Sequence, residues 1–274
     1  MPTVLILANE TIAGAALLER IRDRSEQGAR FFVVVPQTRP RHGNVIYDDV
    51  VRDSAQVRVD LALEFIRDLG AVGEGEVGDQ DPFNAAMDAV RAQPIDEILV
   101  STLPASSSSW VKRDLIERLE DATGVPVEHV VVDLEAEGLP FDVTLVVANL
   151  TVAAPELVER LKALADEGPR RFIVVVPQSG TEGHRVREAR QRARRLLASL
   201  DDAGVVAAGM IGDPDPYTAV MNAVQYFYVH DILISTLPGD TSQWVKDKLV
   251  DRVRDSTHLP VEHIETRATQ SAEA

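Results

Sequence analysis

The chain has 274 residues, 45% of them hydrophobic and 26% charged, a globular composition long enough for two ordinary domains. A formal net charge of -16 argues against nucleic acid or an anionic membrane as partner. The chain has no cysteine, which excludes disulfides, thiolate catalysis and cysteine metal sites, and no apolar run approaches the ~20 residues a membrane-spanning helix needs.

From the N-terminus, apolar runs of strand length alternate with segments of helical spacing. Val4–Ala8 is a strand, and residues 11–27 carry helical spacing through Leu17, Leu18 and Ile21 before Gly28. Phe31–Val35 is a second, continuously apolar strand. A connection over Arg39–Val51 leads to a helix predicted over Val57–Leu69, ended by Gly70. Gly75–Gly78 is a short third strand. Asp81-Pro82 reads as the N-cap and first residue of a helix running to Gln93. Glu97–Val100 is the fourth strand, Trp110–Thr123 the fourth helix, and Val127–Val132 the fifth strand. Five strands alternating with four helices imply parallel pairing through right-handed crossovers.

The order then repeats from Val143 to about Thr266. Val4 through Thr11 matches Thr144 through Thr151, Phe31 through Gln37 matches Phe172 through Gln178, and Ile98 through Pro104 matches Ile232 through Pro238. The separation is 140 residues at the first match, 141 at the second and 134 at the third, so nearly all length variation falls between Pro36 and Gly78. A period this long is a duplicated domain. The expected organisation is a domain over 1–134, a linker over 135–141, a second domain over 142–267 and a polar tail over 268–274. Each domain is α/β, a doubly wound parallel five-stranded sheet of flavodoxin-like topology, strand order 3-2-1-4-5.

In such sheets ligands sit beyond the carboxyl ends of the strands, which fixes the candidate site residues. Asn9 and Thr11, with Asn149 and Thr151, leave the first strand and could bond a base edge or a ribose, or form a turn into a capped helix. Pro36 and Pro177 close the second strand. Gly78-Asp79 and Gly212-Asp213 flank the crevice, with a tight turn into the Asp-Pro cap as the plainer reading. Ser101, Thr102 and Ser106, with Ser235, Thr236 and Thr241, offer hydroxyls to an anion, or serve as turn and cap residues. Trp110 and Trp244 read as packing residues. The arginine-rich run 185–195 reads as a solvated helix face. The six histidines show no metal spacing. No nucleophile elbow, phosphate loop or dinucleotide fingerprint is present, so no catalytic residue and no metal ligand is assigned.

Two tandem units with these strand exits, with Gly78/Pro82 and Gly212/Pro216 before the third helix, and with the Ser-Thr-Leu-Pro loop before the last helix, resemble the universal stress protein family. With no signal-peptide pattern and no membrane-spanning run, a cytoplasmic location is expected by default. The resemblance implies a stress-response or regulatory protein, and pairing of its two halves through their fifth strands as an internal pseudo-dimer, with a further homodimer as an expectation. Nucleotide-binding members carry Gly-x2-Gly-x9-Gly-Ser/Thr after the fourth strand. Here copy one has no glycine in that stretch, copy two has only Gly239, and Asn9 and Asn149 stand where the family has Asp. The reading is therefore a non-catalytic regulatory protein. The alternative is a binder of ATP or another adenine nucleotide through the Ser/Thr-rich loops, with weak ATP hydrolysis.

Overall fold

The computed structural model describes residues 1–104, 110, 114–180, 182–239 and 241–267. They form two compact units. The first comprises Met1–Arg39 and Ser54–Pro140; the second comprises Pro40–Asp53 and the chain from Phe141 onward.

The elements run β1 (Thr3–Leu7), α1 (Ala15–Glu26), β2 (Arg30–Pro36), α2 (Asp48–Asp68), β3 (Gly73–Gly78), α3 (Pro82–Ala92), β4 (Glu97–Thr102), α4 (Leu115–Thr123) and β5 (Val127–Val131). After α5 (Leu134–Glu137) come β6 (Asp142–Val147), α6 (Pro155–Glu167), β7 (Arg170–Pro177), α7 (Gly183–Asp202), β8 (Ala207–Gly212), α8 (Pro216–Tyr226), β9 (Asp231–Thr236), α9 (Gln243–Lys246), α10 (Leu249–Thr257) and β10 (Val261–Glu265). The first sheet has the order β3-β2-β1-β4-β5 and the second β10-β9-β6-β7-β8, all pairs parallel. This is the expected doubly wound α/β architecture in both copies.

The continuous apolar runs explain the central strands. Every residue of β1 is buried, as are Phe31 to Pro36 of β2, because helices cover both sheet faces. At the amino ends of the strands, charged groups fasten neighbours. Arg30 donates to Thr3 Oγ1 (2.7 Å), and Arg170 donates to Thr144 Oγ1 (2.6 Å) and pairs with Asp231 (2.5 Å). Arg24 pairs with Glu97 and Glu128 in the first unit, and Arg160 with Glu262 in the second.

Four element boundaries differ from the sequence expectation. Helix α2 begins at Asp48, not Val57. Among its buried positions, Val51, Ala55, Val59, Ala62 and Ile66 form one stripe from the first turn, and Asp48 and Asp49 suit the positive helix start. Helix α1 begins at Ala15, after a turn in which Gly14 N–H bonds the Thr11 carbonyl. In the second unit the expected single last helix is interrupted: Lys248 (φ 54°) is left-handed between α9 and α10, which begins at Leu249. In the first unit Asp114 (φ 50°) is left-handed and α4 begins at Leu115. The expected linker contains α5, capped by Asp133, whose carboxylate accepts from Ala136 N–H (3.1 Å).

The length difference between the copies also has a structural expression. Residues 40–53 belong with the second unit, where His42 N–H donates to Asn222 Oδ1 (3.1 Å) and Asn222 Nδ2 to the His42 carbonyl (3.3 Å). Arg190 Nη2 bonds Asp49 and Asp53, each at 2.9 Å.

Candidate functional site

In the second unit the carboxyl ends of β6 and β9 enclose a cavity of ≈ 190 Å³. It is lined by Asn149, Leu150 and Thr151 from the β6 exit, Ser235, Thr236 and Leu237 from the β9 exit, and Thr241, Ser242, Gln243 and Trp244 at the start of α9. Five of the sequence candidates therefore meet in one place: Asn149, Thr151, Ser235, Thr236 and Thr241. Pro177, Gly212 and Asp213 do not line it.

The hydroxyls of this cavity are committed to one another. Thr151 Oγ1 donates to the Ser235 carbonyl (3.2 Å), and Ser235 Oγ donates to Thr151 Oγ1 (2.9 Å). Ser235 has one proton and has used it, so at the third contact, with Thr266 Oγ1 at 3.3 Å, Thr266 donates. Thr236 Oγ1 donates to the Leu237 carbonyl (2.8 Å), so the His263 Nε2 contact (2.8 Å) is an imidazole N–H donated to that hydroxyl. Thr241 donates to the Pro238 carbonyl (2.9 Å), and Ser242 caps α9 by accepting from Val245 N–H (3.4 Å). Asn149 Oδ1 accepts from Arg192 Nη1 (2.8 Å), a cation from α7.

The first unit repeats half of this arrangement. Thr102 donates to the Leu103 carbonyl (2.9 Å) and meets His129 Nε2 at 2.8 Å, reproducing the Thr236–His263 pair. Burial holds His129 below the ordinary histidine pKa. The other half is open. Thr11 Oγ1, Ser101 Oγ and Asn9 Oδ1 are buried and have no hydrogen-bond partner among the described residues, although Asn9 Nδ2 donates to Thr38 Oγ1 (2.6 Å). Thr11 is 2% exposed and Ser101 1%. One difference is Val132, which occupies the place of Thr266 and offers Ser101 no hydroxyl. Val132 N–H bonds the Thr102 carbonyl (2.9 Å) as Thr266 N–H bonds that of Thr236 (2.8 Å). A β-carbon on Gly14 would lie 2.2 Å from Val132 Cγ1, and the residue matching Gly14 in copy two is Ala154. The pair Val132/Gly14 thus replaces Thr266/Ala154. Ser106 lies outside the described residues.

Gly78 and Gly212 serve packing. A β-carbon there would meet Ala85 Cβ at 2.6 Å and Ala219 Cβ at 2.7 Å, so each glycine lets the third helix of its copy lie against the sheet. Asp79 and Asp213 accept from the N–H groups of Asp81 (2.8 Å) and Asp215 (2.9 Å), the tight turn into the helix cap. Burial raises the Asp213 pKa above the ordinary aspartate value. Pro36 and Pro177 pair in register with Gly78 and Gly212.

The cavity is smaller than the ~300–1,000 Å³ typical of small-molecule sites, and the Asn149 and Ser/Thr side chains just traced have intramolecular partners. In the first unit three buried polar atoms await a partner, which suits a ligand or water with both donors and acceptors. Among the described residues no group of three His, Asp or Glu side chains could hold a metal, and no helix is long and apolar enough to cross a membrane.

Sequence reasoning missed Arg192, His129, His263 and Thr266. The Thr–His pairs follow from strand pairing, because Val100↔His129 and Thr102↔Val131 set the fifth strand's side chains beside the Ser-Thr exit.

No family model matches the chain, and no curated protein matches it. Among solved structures it is similar to a universal stress protein from Archaeoglobus fulgidus DSM 4304, with 16% identity over 96% of each chain and a TM-score of 0.38. A histidinol dehydrogenase from Elizabethkingia anophelis is matched at 12% identity over 97% of this chain and 53% of that one, with a TM-score of 0.26. A glycosyltransferase from Rickettsia africae ESF-5 is matched at 11% identity over 85% and 72%, with a TM-score of 0.22.

Proposed function

We propose that the chain is a non-catalytic regulatory protein of the universal stress protein type, acting in the cytoplasm, whose two strand-exit sites have diverged. The observation that carries this is the contrast between Thr151–Ser235–Thr266, closed on itself, and Thr11/Ser101/Val132, left open. On this reading the second unit is a scaffold, and the first responds to a small polar ligand. Calorimetric titration with ATP, ADP, AMP and cyclic AMP tests it. The expected result is at most one site per chain, abolished by Asn9→Ala with Thr11→Val and unaffected by Thr151→Val. Two equivalent sites, or steady phosphate release from ATP, would overturn it. The open cluster in the first unit also favours the second reading, an adenine-nucleotide binder. Binding there weaker than about millimolar, ~4 kcal/mol, would remove that reading, since a dedicated site supplies more.

The fifth strands belong to the same reading. β5 and β10 end their sheets, and Val131 on β5 is 46% exposed. Unpaired edges of this kind invite association, within the chain as a pseudo-dimer or between copies. Val131→Lys is expected to weaken that association in light scattering or in cross-linking between the two edges; an unchanged result would count against it.

A further inference from the structure

Helix α7 carries six arginines in a chain where acidic residues outnumber basic ones 44 to 28. They divide sharply. Arg185 lies within salt-bridge range of Glu182 and Glu188, Arg190 bonds Asp49 and Asp53, and Arg192 bonds Asn149 and pairs with Glu188. Arg187, Arg194 and Arg195 are exposed and have no carboxylate partner among the described residues. With exposed Gln191 between them they occupy positions i, i+4, i+7 and i+8, one face of the helix, with a rise of ~12 Å from first to last.

A neighbouring position on the same helix, Arg190, shows what such arginines take. Arg190 reaches two carboxylates spaced i,i+4 at the start of α2, Asp49 and Asp53, at 2.9 Å each. Both carboxylates lie on one face of their own helix, so a single guanidinium meets both. Three unpaired guanidiniums in a row offer the same geometry outward. The net charge of -16 opposes a long polyanion such as nucleic acid beyond the Debye length, whereas a short acidic segment meets only the local patch.

We propose that the Arg187–Arg194–Arg195 face of α7 is a docking surface for an acidic helical segment of a partner protein, one carrying carboxylates at i,i+4 spacing. The full-length chain tests this by fluorescence anisotropy with a labelled helical peptide bearing two Glu i,i+4 pairs. The expected result is saturable binding that weakens as salt is raised. Reversing the charges (Arg187→Glu, Arg194→Glu, Arg195→Glu) is expected to lower affinity at least tenfold. The corresponding triple Lys variant retains most of it, and Arg91→Glu, an exposed arginine on α3, changes nothing. Circular dichroism confirms that the exposed substitutions leave the fold intact. Absence of binding at low salt would overturn the proposal. So would equal binding by the reversed-charge variant, or tighter binding of a single-stranded oligonucleotide of equal charge.

Discussion

Ser101 and Ser235 are the same residue at matching positions, each 1% exposed, yet the hydrogen bonds around them differ. Replacing Ser235 by Ala removes the centre of a three-residue chain. Thr151 Oγ1 loses its donor and the Thr266 hydroxyl loses its acceptor, both in buried residues. Orphaning a buried polar group costs ~1–3 kcal/mol, and the Thr266 contact at 3.3 Å is long enough to sit at the low end, giving a net loss of about 2 kcal/mol. Replacing Ser101 by Ala removes a hydroxyl with no partner, so its desolvation cost disappears and stability is expected to hold or rise by up to about 1 kcal/mol. The chain has two tryptophans, Trp110 in the first unit and Trp244 in the second. Single-tryptophan backgrounds made with Trp110→Phe or Trp244→Phe therefore report each unit separately in urea denaturation. Opposite signs in the two units, at unchanged m-values, are the expected result. Equal losses from both substitutions would refute the claim that one crevice is closed and the other open.

Gly212→Ala places a methyl 2.7 Å from Ala219 Cβ and 2.8 Å from Val175 Cγ1, and is expected to cost ~1–3 kcal/mol by overpacking, read as a lower thermal midpoint. Lys248→Gly frees a left-handed position (φ 54°) from its side chain and is expected to gain up to about 1 kcal/mol by urea denaturation, less the extra backbone freedom of the unfolded glycine. Burial lowers the His129 pKa from 6.5, so the unfolded chain binds the proton more readily than the folded one. Its contribution is present above about 6.5 and is lost as pH falls through the lower folded value. Stability measured against pH is expected to show this acid limb, and His129→Gln, which keeps a donor for Thr102 without titrating, is expected to flatten it.

The architecture could be read from the chain because its causes are local. Phe31 to Val35 is too short and too β-branched for a helix and too apolar for an open sheet face, and Asp81-Pro82 announces a helix start in two residues. Helix α2 was placed nine residues late because its first turn belongs with the second unit, where Val50 and Val51 are buried while Asp48 and Asp49 stay exposed, a tertiary fact that periodicity from Val57 onward does not contain. The left-handed residues before α4 and α10, Asp114 and Lys248, are not glycines, so the tryptophan segment reads as continuous with the helix beyond.

The site was legible in outline, but the difference between its two copies was not. Strand-exit logic gathers Asn149, Thr151, Ser235, Thr236 and Thr241 around one cavity, but a residue's position at a crevice does not say whether its hydroxyl is already engaged. One such difference lies in the residue after the fifth strand. Val132 and Thr266 are separated by the same 134 residues as the strands before them, so the substitution of a hydroxyl by a methyl stood in the repeat alignment. Its meaning required the register that turns this residue toward the fourth strand, where its N–H bonds Thr102 or Thr236. Arg192 has its counterpart in Arg58, because α2 and α7 end at Asp68 and Asp202, 134 residues apart, but the shorter connection into α7 (five residues against eleven) shifts the helix starts and hides that match in the sequence. The duplication therefore identifies the places that share a backbone, and the few non-matching side chains at those places, Val132 with Gly14 against Thr266 with Ala154, set the two copies apart.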